Sequence, residues 1–99
     1  MKPFKVCFLN EETEIKLLSE NEVIRKAIHR HIESLKENAF CGFQIPKRLI
    51  PYDVNNLWKL NLPLVWRLLY TVASFDKDKY IVAIIDWMNH KEYAKLFGY

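Results

Sequence analysis

The chain has 99 residues, 51% of them hydrophobic and 14% aromatic, which is enough apolar side chain for a single domain over residues 1–99 and excludes a disordered tail. Two glycines and four prolines exclude collagen-like and linker-like sequence, and no apolar run reaches the roughly 18–20 residues of a membrane span. The net charge of +3 lies wholly in residues 41–99, because the first 40 residues carry seven Lys/Arg and seven Asp/Glu.

Residues 2–9 alternate Phe4, Val6 and Phe8 against Lys5, Cys7 and Leu9, the period-two pattern of a strand, with Pro3 suited to its start. Met1-Lys2-Pro3-Phe4 followed by mixed residues and then Glu11, Glu12 and Glu14 is not an export signal, so the cytoplasm is the expected location. Asn10 is placed to cap a short helix through about Leu18, with the three glutamates at its positive end. A second helix follows to about Asn38, opened either by a Ser19–Glu22 capping box or by Asn21. Ile24, Ala27, Ile28, Ile32 and Leu35 line one face of it, and the two helices form a hairpin. Gly42 is expected to end this helical region.

Residues 43–56 are the least regular segment, and Pro46 and Pro51 exclude a long helix, so a surface loop is expected there. Three strands then follow. Residues 57–62 alternate Trp58, Leu60 and Leu62 against Lys59 and Asn61. Pro63-Leu64 is a tight connection. Residues 65–73 alternate Trp66, Leu68, Tyr70 and Val72 against Arg67, Leu69 and Thr71, and the larger apolar set marks the core face, which puts Arg67 on the opposite one. Asp76–Lys79 is a polar turn, and the apolar run Tyr80–Met88 suits a central strand. His90–Phe97 reads as a short terminal helix. The fold class is α+β in the order β-α-α-β-β-β: a small, mainly antiparallel sheet with a helical hairpin on one face and the other face left open.

Several residue types are read as structural. Cys7 and Cys41 form no CxxC pair and are expected as reduced, partly buried small side chains. His29 and His31, two apart on a helix, point to different sides and make a poor metal pair, so neither a metal nor a cofactor is expected. Trp58, Trp66, Phe97 and Tyr99 read as packing residues, and Asp86 as a hydrogen-bonded structural carboxylate or a partner for Lys59 or Arg67.

Four blocks carry a resemblance to a known family: Ile45-Pro46-Lys47, Asn56-Leu57-Trp58-Lys59-Leu60, Leu62 through Thr71 with its W-R-L-L-Y-T run, and His90-Lys91-Glu92-Tyr93 ahead of Phe97-Gly98-Tyr99. Together they resemble the RelE/ParE toxins of type II toxin–antitoxin systems, closest to archaeal RelE-like members, over residues 43–99 and in architecture alone before that. The resemblance implies a metal-independent endoribonuclease that cleaves mRNA in the ribosomal A site and so inhibits translation. It also implies a cognate antitoxin protein as partner in a toxin–antitoxin hetero-oligomer. ParE-type members share the fold and inhibit gyrase instead, so a non-catalytic protein that binds an antitoxin, gyrase or another partner stays open as the alternative.

Such cleavage needs a base for the 2′-hydroxyl, cations for the charge developing on phosphorus, and an acid for the departing 5′-oxygen. Arg67 matches the family's strand arginine, and its planar fork can hold two phosphate oxygens. Lys59 matches a strand lysine, although the residue two further on, Asn61, is neutral where such nucleases often carry a second cation. His90 is the candidate acid or base, and Tyr93, one helical turn later, resembles the tyrosine that stacks on a base or orients the 2′-hydroxyl. Lys47 and Arg48 are candidates for RNA binding, in a stretch from 44 to 70 where Asp53 is the only acid.

Overall fold

A computed structural model describes residues 3–98. Lys2, included in the expected first strand, and Tyr99, expected to pack, lie outside the described residues. The elements are β1 (Phe4–Phe8), α1 (Glu11–Leu18), α2 (Glu22–Glu37), β2 (Phe43–Gln44), β3 (Trp58–Leu62), β4 (Trp66–Asp76), β5 (Lys79–Met88) and α3 (His90–Phe97), with single 3-10 turns at Ala39–Cys41, Lys47–Leu49 and Pro63–Val65. One mixed five-stranded sheet runs in the order β1-β5-β4-β3-β2. Only the β1–β5 pair is parallel.

Local chemistry accounts for most element ends. The Asn10 carboxamide accepts from the Thr13 N–H, and the Asn21 carboxamide accepts from the Ile24 N–H, so both helices of the hairpin are capped by asparagine. Ser19 closes α1 instead of opening α2, which decides between the two caps the sequence allows. α1 and α2 cover one sheet face: Leu17, Ile24, Ala27, Ile28 and Leu35 share a core with Phe4, Leu60, Leu62, Leu68, Tyr70, Val72, Val82, Ile84 and Trp87. Trp58 and Trp66 pack against it half-buried. β1 stops at Phe8, and beyond it α1 serves the bare edge of β5. Lys16 Nζ donates to the Trp87 carbonyl at 2.8 Å and to Asp86 Oδ1 at 2.6 Å, and Thr13 Oγ1 donates to the Ile85 carbonyl at 3.4 Å.

The opposite face departs from expectation. It is not left open: Ile45, Leu57, Leu69, Ile85, Met88 and Tyr93 form a second core, with Leu49, Ile50, Tyr52, Val54, Leu96 and Phe97 packed on it. Residues 45–57 and α3 therefore act as its lid. The apolar residues of this segment follow neither a two-residue nor a 3.6-residue period, so their burial leaves no periodic trace. β2 adds a fourth antiparallel-paired strand that the expected order lacks, and two residues are too few to show alternation. The cysteines also depart, since Cys7 and Cys41 are both exposed. Cys7 sits on the β1 face turned from the hairpin, and the lid does not extend that far.

α2 ends at Glu37 with Asn38 as its cap, four residues before Gly42. Gly42 has another task. The buried Tyr70 hydroxyl donates to the Ala39 carbonyl at 2.8 Å and accepts from the Gly42 N–H at 3.2 Å. A Cβ on Gly42 would lie 2.4 Å from that hydroxyl and 2.7 Å from the Lys59 carbonyl. No side chain fits there, whatever the backbone angles. Burial pushes the Tyr70 hydroxyl well above the ordinary tyrosine range, so it remains a neutral donor.

A similar device ends the β3–β4 ladder. Past Trp58, the Asn56 carboxamide takes the place of a strand: Nδ2 donates to the Val72 carbonyl at 2.8 Å, and Oδ1 accepts from the Val72 N–H at 2.9 Å. Across the sheet, His31 Nε2 lies 3.1 Å from the Asn61 carbonyl. A carbonyl only accepts, so Nε2 carries the proton. Burial lowers the His31 pKa below its ordinary 6.5, the bond to Asn61 opposes that, and Arg30 adds to the lowering.

Two outcomes follow. Tyr70→Phe, which leaves a buried carbonyl and N–H without their partner, should cost about 1–3 kcal/mol in urea denaturation with an unchanged m-value. The unfolded chain protonates His31 at a higher pH than the folded one does. Stability should therefore be full above about pH 6.5 and fall as the pH drops through that value toward the lower folded pKa, and His31→Gln should flatten this slope in denaturation curves taken between about pH 5 and pH 8.

Candidate functional site

β3 and β4 place the strand cations. Lys59 stands opposite Leu69 and Asn61 opposite Arg67, while Phe43 pairs with Lys59, and Arg67 pairs with Met88 on its other side. Leu60, Leu62, Leu68 and Tyr70 fill the hairpin side, so alternation turns Lys59 and Arg67 to the opposite face. The two cations share a face, an arrangement that the period-two pattern of each strand allows and their pairing register provides.

α3 returns the chain to that face. It starts two residues after Met88, the strand partner of Arg67, and opens with a reciprocal cap in which the Asn89 side chain accepts from the Glu92 N–H and the Glu92 side chain accepts from the Asn89 N–H. One turn on, the Tyr93 ring settles into the second core with only 6% of its surface exposed. Lys59 Nζ lies 5.4 Å from the centroid of that ring and the Arg67 guanidinium carbon 5.6 Å from it. Two positive groups thus converge on one aromatic, whose negative faces attract each by about 0.5–1 kcal/mol, and more where water is excluded.

Neither cation has an ion-pair partner among the described residues. Among the described residues, Arg67 Nη1 donates only to the neighbouring Trp66 carbonyl at 3.2 Å, and the buried Arg67 Nε has no partner. A buried guanidinium N–H without an acceptor is costly, and such exceptions gather at functional sites. The carboxylate in the same row of the sheet is Asp86, beyond Leu69 from Lys59. It is held by Lys16 and by the Trp87 N–H, so it is a structural carboxylate and not a counter-ion for Lys59 or Arg67. The Asp86 charge has a second effect. Burial, with Asp86 nearby, pushes the Tyr52 hydroxyl up to about 12.

The sequence-derived residues are thus brought together unequally. Lys59, Arg67 and Tyr93 form one cluster. His90 opens α3 on the same side as Tyr93 and is exposed. Lys47 and Arg48 are exposed on the turn outside Ile45, with no contact to Lys59 or Arg67 shown among the described residues. Tyr93 is an anchor of α3, tilted against Phe97 at 4.6 Å, and offers a nucleobase no open ring face. The exposed aromatic at the site is Phe43, 59% accessible with its ring 6.0 Å from Lys59 Nζ. Sequence reading passes over Phe43 because a two-residue strand gives no phase. Its one signal is position, a large aromatic directly after the glycine that lets the chain pass close to the Lys59 carbonyl of β3 and the Tyr70 hydroxyl.

Among the described residues no three of His, Cys, Asp and Glu gather as possible metal ligands, and no helix is long and apolar enough to cross a membrane. No family model matches the chain, nor does any curated protein or solved structure.

If Tyr93 is the common seat, Tyr93→Ala should cost about 3–5 kcal/mol in denaturant melts, as large aromatic truncations do, and should release α3 to rapid amide exchange while the exchange of α2 changes little.

Proposed function

We propose that the chain is a RelE-like toxin, a metal-independent endoribonuclease that cleaves mRNA at the ribosome and is neutralised by an antitoxin. The observation that carries this reading is the pair of unpaired cations, Lys59 and Arg67, gathered over Tyr93 with Arg67 Nε buried and unsatisfied. An anion is what such a pair lacks. The resemblance of residues 43–99 to the family identifies that anion as the scissile phosphate.

In the proposed reaction the 2′-hydroxyl gives up its proton and its oxygen bonds to the adjacent phosphorus. The bond from phosphorus to the 5′-oxygen breaks, and that oxygen takes a proton, leaving a cyclic phosphate and a free 5′-hydroxyl. Arg67 holds two non-bridging oxygens as their charge rises, and Lys59 adds a second positive charge at the same place. His90, exposed beside the strand that carries Arg67, is the candidate for the proton transfers. Tyr93 holds the two cations at fixed positions, which makes it a positioning residue. Phe43 offers the exposed ring for a base next to the scissile bond.

A second reading has its own observation. Asn61, opposite Arg67, is exposed and neutral where another cation would strengthen the reaction. A protein of the same shape that binds an antitoxin, gyrase or RNA without cutting fits that feature.

Induced expression of the wild type should create new mRNA 5′ ends at in-frame positions, and Arg67→Ala, folded by circular dichroism, should reduce them about 100-fold or more. No new ends from the folded wild type would remove the nuclease and leave the binding protein, to be followed by gyrase and pull-down assays.

A further inference from the structure

At the far end of β4 from Arg67 lies a second cluster with the chemistry of an anion site. The β4–β5 hairpin and the start of β1 enclose a cleft of about 370 Å³ lined by Lys5, Phe75, Lys77, Asp78, Lys79 and Tyr80, together with Pro3. That volume lies at the lower end of the range for small-molecule sites.

Three features set its character. First, the lining carries three lysines against one carboxylate. Asp76, just outside it, is already engaged: Oδ1 accepts from the Lys77 N–H at 2.7 Å, and Oδ2 lies 4.0 Å from Lys79 Nζ. Lys5 and Lys77 have no ion-pair partner among the described residues. Second, Phe75 stands 56% exposed at a register shift, between Ser74 paired with Tyr80 and Asp76 paired with Lys79. A bulge turns a side chain out of the pleat. Third, Tyr80 stacks on Phe4 at 5.0 Å, which fixes one wall of the cleft from the core. An unpaired aromatic ring beside unpaired lysines is the composition that binds single-stranded nucleic acid, bases on the ring and phosphates on the cations.

We propose that this cleft is a second contact for an RNA strand, one base lying on Phe75 and a flanking phosphate held by Lys5 and Lys77. The proposal rests on the RNA reading of the first site and extends it. Phe75 is eight residues from Arg67 along one strand, roughly 26 Å at strand rise. The cleft would therefore hold a segment several nucleotides away from the bond being cut and set how the strand lies across the sheet.

The test is binding without cleavage. The full chain is titrated with a fluorescent single-stranded RNA of about ten nucleotides, 2′-O-methylated throughout so that it cannot be cut, at several salt concentrations. Lys5→Gln/Lys77→Gln should weaken binding about tenfold or more and make the slope of log K against log salt shallower by about 0.7, the share of one phosphate contact on a single strand. Phe75→Ala should weaken binding at least fivefold with the salt slope kept, since stacking releases no counterions. Wild-type affinity and slope in both folded variants overturn the cleft, as does failure of the wild type to bind the RNA. The nuclease reading is scored separately, by the mRNA ends. Ends made normally by variants that also bind normally remove the cleft and keep the enzyme. Binding lost in the cleft variants of a protein that makes no ends keeps the cleft and removes the enzyme.

Discussion

The hydroxyl of Tyr70 is the point on which the architecture turns. It projects from the middle of β4 to the hairpin side, donates to the Ala39 carbonyl and accepts from the Gly42 N–H. It thereby fastens the chain leaving α2 directly beside the central strands, close enough that Gly42 tolerates no Cβ. This attachment starts β2 alongside β3 and sends the next dozen residues over the opposite face. The lid and the second core follow from that crossing, and so does the position of Phe43 beside Lys59. One buried phenol, kept protonated by its surroundings, couples the packing of the helical hairpin to the site on the other side of the sheet.

The two faces of the sheet are built on different terms. The hairpin side is apolar and closed. The other side is apolar beneath residues 45–57 and α3, and there alternation delivers two cations that no acid among the described residues pairs with. The carboxylate in the same row of the sheet as Lys59, Asp86, is committed to Lys16, so it does not blunt the attraction of this surface for an anion. The Lys59 and Arg67 heads both lie against the Tyr93 ring, but only Arg67 has a nitrogen, Nε, buried without a partner among the described residues, and a guanidinium is more weakly hydrated than an ammonium. The arginine is therefore the more constrained of the two, and the more sensitive to what approaches it.

Much of this was legible in the residues. The phase of Trp66 through Val72 assigns Arg67 to the far face without any structure, because a strand has only two sides and the larger apolar set must go inward. Asn10 announces its helix by the same physics that caps it, whereas for the second helix the residues allow either Ser19 or Asn21 and the structure selects Asn21. What stayed hidden was long-range or aperiodic. Cys7 and Cys41 look like partly buried residues from composition; the limited reach of the lid exposes Cys7, and Cys41 is exposed on the turn that follows α2. The burial of Ile45, Leu49, Ile50 and Tyr52 depends on a crossing fixed by the contact between Gly42 and Tyr70, which stand 28 residues apart in sequence. Tyr93 shows the same limit within the site. Its spacing from His90 puts both on one side of α3, yet spacing alone cannot tell a ring that holds cations in place from a ring that meets a base.

The parallel pairing of β1 with β5 also sets an order of assembly. Phe4 meets Tyr80 and Phe8 meets Ile84, so the first strand waits for partners made more than 70 residues later. Until then the apolar faces of α1 and α2 have an incomplete sheet to cover, and contacts so distant in sequence form slowly. The seat over Tyr93 comes later still, since it needs β3, β4 and α3 together. During synthesis the chain therefore carries Lys59 and Arg67 for some time before anything aligns them, and whatever chemistry they perform is switched on by completion of the fold.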